Sequence, residues 1–131
     1  MKAVTVALYI LTALITGLHN FYWLMNMVNG APLPLLNLIA LLGAATLVGA
    51  AVTVPFRQRV ATKIGLAGSL LLWLYYAPSL AVSIFTPFST WQNIRFFISF
   101  HDYVPVVGAI FGPILLIAST ANSIILLRTK S

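Results

Sequence analysis

The fold is decided by AVTVALYILTALITGLHNFYWLMNMVNGAPLPLLNLIALLGAATLVGAAVTVPF, residues 3–56, in which no Lys, Arg, Asp or Glu occurs. A helix that crosses a membrane needs roughly 20 consecutive apolar residues. This run of 54 residues is long enough for two crossings, and the turn-forming residues of NGAPLP, 29–34, interrupt it. The stretch therefore predicts two transmembrane helices, at residues 3–27 and 35–55.

Two further uncharged runs follow, 64–94 with 31 residues and 103–127 with 25 residues. They predict a third transmembrane helix at residues 64–85 and a fourth at 103–127. Over the whole chain of 131 residues, 61% are hydrophobic and 6% are charged, whereas a soluble domain carries about 25% charged residues. The sequence therefore predicts an all-α integral membrane protein, a single four-helix transmembrane bundle over residues 1–131.

The net charge of +6 is distributed unevenly along this thread. Six of the seven basic residues fall in three places: Lys2 before the first helix, Arg57, Arg59 and Lys63 between the second and the third, and Arg128 and Lys130 after the fourth. Only Arg95 lies elsewhere. Short basic segments stay on the cytoplasmic side of a membrane. This distribution predicts that both termini are cytoplasmic, in a bacterial-type inner membrane. The same distribution argues against nucleic acid as a partner and favours the lipid bilayer.

The connection between the third and fourth helices is rich in aromatic residues. It reads TPFSTWQNIRFFISFHD, residues 86–102. One helical face is shared by Phe88, Trp91, Ile94 and Ile98. This predicts a short helix that lies in the membrane interface on the outward-facing side. The alternative is an outward extension of the fourth helix.

Polar and small residues recur at helical spacing within all four segments. Lipid cannot hydrogen-bond these groups, so such faces should point into the protein. GxxxG pairs such as Gly108 and Gly112 let helices approach closely. Packing is favoured over a transport path for each of these faces: Thr5, Tyr9, Thr12, Thr16, His19, Trp23 and Asn26; Asn37, Ala40, Ala44 and Ala51; Gly65, Ser69, Tyr76, Ser79 and Ser83; and Gly108, Gly112, Ser119 and Asn122.

One candidate polar site emerges, near the outer surface, where polar residues of several segments should reach a similar depth. It comprises His19, Tyr22, Trp23, Asn37, Ser83, Arg95, His101 and Asp102. Asp102 is the only acidic residue, and its position predicts the N-cap of the fourth helix; an ion pair with Arg95 is a further interaction open to it. A catalytic pair of His101 and Asp102 is the less favoured interpretation.

Several chemistries are excluded by what the sequence lacks. It has no cysteine, no second carboxylate for acid–base work, and no HExxH or phosphate-loop motif. No metal site or cofactor is evident, although a bound lipid, quinone or pigment is compatible with the candidate site. Three functions stay open: an accessory or assembly subunit of a larger membrane complex or a homo-oligomer; a binding or transport module for an apolar ligand; and, ranked last, a membrane enzyme with a His-Asp dyad.

Overall fold

The computed structural model describes residues 2–27 and 35–129, and this part of the chain is helical, without a strand. Four of its five helices are long and apolar enough to cross a membrane. The helices are α1 (Lys2–Met27), α2 (Leu35–Thr53), α3 (Gln58–Phe85), α4 (Pro87–Ser99) and α5 (Val104–Arg128). The predicted membrane class is thereby confirmed, whereas the predicted turn at 29–34 lies outside the described residues.

The largest difference from the predicted boundaries is at the start of α3. This helix begins at Gln58 rather than at residue 64, so Arg59 and Lys63 are helical and only residues 54–57 join α2 to α3. The predicted start was wrong because it equated the first residue of the charge-free run with the first residue of the helix. Arg and Lys are good helix formers, and a helix can continue past the apolar stretch.

α4 is a helix of its own and not an extension of α5. Thr86 separates it from α3, and a turn at residues 100–103 separates it from α5. No residue of α4 is buried, and its aromatic side chains Phe88, Trp91 and Phe96 are exposed. The predicted short helix is therefore present, and its location in a membrane interface stays a prediction.

The four long helices form a bundle in which each packs mainly against two neighbours. α1 lies between α2 and α5, and α3 lies between the same two helices on the other side. The polar face predicted for α1 is turned inward: Thr5, Tyr9, Thr12, Thr16 and His19 are all buried. The side chain of Asn26 lies outside the described residues.

Three glycines make room for aromatic rings inside the bundle. The Tyr9 ring lies against Gly65, the His19 ring against Gly108, and the Tyr76 ring against Gly112. A Cβ on Gly112 would come within 3.0–3.1 Å of Tyr76. The Gly108 and Gly112 pair therefore faces the interior as predicted, but it accommodates side chains where a close approach of two backbones was expected.

The close approach of two backbones occurs instead between α2 and α3. A Cβ on Gly43 would come within 2.8 Å of the Gly68 carbonyl oxygen, and a Cβ on Gly68 within 2.9 Å of the Gly43 carbonyl oxygen. Small residues at a crossing allow this contact, which maximises van der Waals packing where no hydrophobic effect drives helices together. We call this contact the α2–α3 seam.

The bundle has two chemically different ends. Arg59 of α3 and the last turn of α5 share a small cavity, so Arg57, Arg59, Lys63 and Arg128 collect at one end, which we call the basic end. The opposite end carries Tyr22, Trp23, Phe97 and Tyr103, and we call it the aromatic end. There the Trp23 ring packs edge-on against Phe97, with centroids 5.9 Å apart.

Candidate functional site

His19 is buried near the aromatic end, and its hydrogen bonds fix its tautomer. The Trp23 indole Nε1 donates to His19 Nε2 at 3.1 Å, and an indole can only donate. Nε2 is therefore the unprotonated nitrogen of a neutral imidazole. Nδ1 carries the proton and donates it to the Tyr76 hydroxyl at 2.8 Å.

Two buried amides extend this network. Asn20 Nδ2 donates to the Thr16 carbonyl oxygen at 2.8 Å and to the Tyr76 hydroxyl at 3.3 Å. Asn37 of α2 donates to Asn20 Oδ1 at 2.9 Å. The network joins α1, α2 and α3, and both nitrogens of His19 are occupied. His19 is therefore committed to holding helices together, and it offers no nitrogen to a ligand.

Asp102 does not cap the last helix, which corrects the prediction from the sequence. α5 begins at Val104, its N-cap is Tyr103, and no side chain caps it. The Asp102 carboxylate instead accepts a hydrogen bond from the Tyr22 hydroxyl of α1 through Oδ2. Among the described residues no ion pair joins Arg95 to Asp102. The chain's single acid therefore ties the α4–α5 turn to α1.

The turn that positions Asp102 depends on an unusual backbone conformation at His101. Its φ is +57°, in the left-handed region where Gly is normally preferred. The Asp102 amide donates to the Phe97 carbonyl at 2.9 Å, and the His101 amide donates to the Ile98 carbonyl at 3.0 Å. These two bonds define a Schellman motif that ends α4. His101 is the left-handed residue of that motif.

The two residues that suggested a catalytic dyad point to different partners. His101 is exposed, and its Nδ1 lies 3.2 Å from the Tyr103 hydroxyl. Asp102 is bound to Tyr22. Within the described part of the chain no hydrogen bond joins His101 to Asp102, so this geometry does not form a dyad.

A groove between α1 and α5 forms an open cavity at the aromatic end. Its volume is about 450 Å³, within the range of about 300–1,000 Å³ that is typical of small-molecule sites. We call it the α1–α5 groove. Its floor includes His19 and Gly108, its walls are apolar, and two tyrosines stand at its rim; the remaining lining residues are Ile15, Leu18, Phe21, Tyr22, Met25, Tyr103, Val104 and Val107.

The predicted outer site is thus divided into separate groups. His19, Trp23 and Asn37 belong to the buried network, and Tyr22 and Asp102 belong to the rim of the groove. Arg95 is exposed on α4, and Ser83 is half-buried near the end of α3. The structure does not bring Arg95 or Ser83 to either group.

The residues predicted to pack α5 mostly face the interior. Asn122 donates to Thr5 at 3.1 Å, and the neighbouring Ser123 shares a 2.7 Å hydrogen bond with Tyr9. Ser119 is fully buried, and its hydroxyl has no hydrogen-bond partner within the described residues. α1 and α5 are therefore joined by polar contacts toward the basic end and separated by a groove toward the aromatic end.

Sequence reasoning missed Asn20 and Tyr103, and it did not assign Tyr76 to the site. Asn20 lies four residues after Thr16, and a second amide at Asn37 in an otherwise apolar helix was a signal that the two would pair. No pattern in the sequence predicts the groove, because the groove depends on the distance between α1 and α5.

Comparison with protein-family models, with curated proteins and with solved structures finds no match to this chain.

Proposed function

We propose that this protein is a small membrane binding module that holds the hydrocarbon chain of an amphiphile in the α1–α5 groove. The observation that carries the proposal is the groove itself, a cavity of about 450 Å³ with apolar walls and a polar rim at one end. Binding sites for small molecules combine an apolar lining with a few polar groups that fix orientation. An amphiphile matches this division.

The orientation of the site follows from charge. The basic end collects Arg57, Arg59, Lys63 and Arg128, and basic segments favour the cytoplasmic side. The groove then opens toward the outer leaflet, and α4 lies along the outer interface with its aromatic residues at head-group level. We place the protein in a bacterial-type cytoplasmic membrane on the same argument.

The test maps where an alkyl chain touches the protein. The probe is dodecanol that carries a photoactivatable diazirine on its chain, added at trace level to the protein in dodecyl maltoside micelles. After irradiation, peptide mass spectrometry locates the adducts. We expect them to concentrate on residues 15–25 and 103–108, above the level found on the other exposed helix faces.

Two variants of α5 provide a matched pair. Val107 lines the groove and is 36% exposed, whereas Ile110 lies outside its lining and is 42% exposed. Val107→Trp should remove the concentrated labelling, and Ile110→Trp should retain it. Labelling spread evenly over all exposed faces, or equal labelling in the two variants, would contradict a binding groove.

A second candidate function is the accessory subunit of a larger complex, and α4 is the observation that favours it. This helix has no buried residue, and it presents Phe88, Trp91, Phe96 and Phe100 outward. Aromatic residues are enriched where proteins meet. Isolation of the tagged chain in mild detergent should then recover a partner that Trp91→Ala together with Phe96→Ala loses, while the variant chain keeps its melting temperature.

A further inference from the structure

The rim of the α1–α5 groove carries the chain's only acidic side chain. The Asp102 carboxylate accepts from the Tyr22 hydroxyl, and Tyr22 lines the groove. The carboxylate is therefore held at the mouth of the apolar cavity. Asp102 as a whole is half-buried.

The negative charge of Asp102 is not neutralised by a neighbouring cation. Among the described residues no Lys, Arg or His lies within ion-pair distance of it, and its second oxygen, Oδ1, has no hydrogen-bond partner there. His101 next to it bonds to Tyr103, and Arg95 on the adjoining helix makes no ion pair with it. One carboxylate oxygen is used for positioning, and the other is left available.

Two tyrosine rings, of Tyr22 and Tyr103, line the groove beside the same position. Tyr22 packs edge-on against Trp23 with centroids 5.6 Å apart, and Tyr103 stands on the other side of the rim. The faces of Trp and Tyr rings attract organic cations, and more strongly where water is partly excluded. A carboxylate and aromatic faces at one rim are both features that attract an ammonium group.

We propose that the amphiphile held in the α1–α5 groove is a lipid whose head group bears an ammonium, which the Asp102 carboxylate contacts at the rim. This inference rests on the proposed function and adds the charge of the head group to it. The rest of the chain favours anions, since it carries seven Lys and Arg residues and no Asp or Glu. The rim is thus the place where a cation is attracted, and the basic end would repel it.

The test compares three photoactivatable probes that share one dodecyl chain and differ in the head group: a hydroxyl, a trimethylammonium and a sulfate. Labelling of residues 15–25 and 103–108 is measured against the mole fraction of probe in dodecyl maltoside micelles. The ammonium probe should reach half-maximal labelling at about tenfold lower mole fraction than the hydroxyl probe. Tetramethylammonium without a chain should not compete at equal concentration, which separates a lipid head group from a free amine.

The key variant is Asp102→Asn, which removes the charge and can still accept the Tyr22 hydrogen bond. It should bring labelling by the ammonium probe to the level that the hydroxyl probe shows in the same variant. The matched control is Arg95→Gln, which alters a charge at the same end without touching the rim. Should Asp102→Asn fail to fold, salt provides the second measurement: labelling of the wild-type chain by the ammonium probe should fall as ionic strength rises, and labelling by the hydroxyl probe should not.

The outcomes separate the two proposals. Equal labelling by the ammonium and hydroxyl probes would leave the groove in place and overturn the ammonium head group. Full retention of ammonium preference in Asp102→Asn would overturn it as well. Failure of all three probes to favour the groove would overturn the proposed function together with the inference that rests on it.

Discussion

The α2–α3 seam and the α1–α5 groove are two contacts between neighbouring helices, and glycine occurs in both. At the α2–α3 seam Gly43 and Gly68 face each other, and the two backbones touch. Toward the aromatic end of α1 and α5, Gly108 faces the imidazole of His19, and a cavity of about 450 Å³ remains beside it. A glycine opposite another backbone lets two helices come into direct contact, whereas a glycine opposite a ring leaves space for that ring.

The largest expected effect is at the closed seam. Gly43→Ala places a Cβ against the Gly68 carbonyl, which is backbone and cannot turn away. We expect a loss of about 1–3 kcal/mol in the free energy of unfolding, which is the usual range for overpacking. The matched control is Gly49→Ala on the same helix, where a Cβ meets nothing within 4 Å and helix propensity improves. Equal stability of the two variants in detergent unfolding would mean that α2 and α3 do not touch there.

A smaller effect is expected in the buried network that borders the groove. Tyr76→Phe removes the hydroxyl that accepts from His19 and Asn20, and it leaves two buried donors without that partner. The expected loss is about 1–2 kcal/mol of unfolding free energy. Tyr103→Phe is the control, because its hydroxyl is exposed and bonds only to exposed His101 among the described residues. A loss in Tyr103→Phe as large as in Tyr76→Phe would contradict the network.

The sequence predicted the helices and the buried polar face of α1 because both depend on local periodicity. Thr5, Tyr9, Thr12, Thr16 and His19 occur every three or four residues, and lipid forces such a face inward. The distance between two helices has no such signature. Whether Gly108 meets a backbone or a ring depends on which residue of α1 is opposite, and that register is set by the whole bundle.

Asp102 shows the same limit at a single residue. Its place directly before the predicted fourth helix suggested a cap, and local spacing could not reveal that Tyr22, 80 positions away in the sequence, would donate a hydrogen bond to its carboxylate. Ser83 and Arg95 were grouped with it by depth along their helices. Depth along a helix does not determine which way a side chain points, so these two residues lie apart from the rim.

The rim contact can be sharpened by a double-mutant cycle. Asp102→Ala and Tyr22→Phe each remove one partner of the same hydrogen bond, so their effects should not add. We expect a coupling energy of about 0.5–1.5 kcal/mol from unfolding measurements on the two single variants and the double variant. Strict additivity would show that Asp102 and Tyr22 do not interact.

The smallest effect is expected at His101, and its sign is the informative part. His101→Gly relieves a left-handed conformation at φ +57° but adds the entropic cost of a glycine. The net change should be a gain of about 0.5 kcal/mol in unfolding free energy. Asn93→Gly, at an exposed helical position of α4, should lose about as much. A loss of stability in His101→Gly would show that its side chain, and not its backbone, holds the turn.

The central claim is that the α1–α5 groove holds one amphiphile per chain. Native mass spectrometry of the protein isolated from its own membrane in dodecyl maltoside tests it most directly. The wild-type chain and Ile110→Trp should each retain one bound lipid, with a mass that matches a lipid whose head group bears an ammonium. Val107→Trp should appear at the mass of the protein without lipid. A bare wild-type chain, or the same retained lipid in Val107→Trp, would contradict the claim.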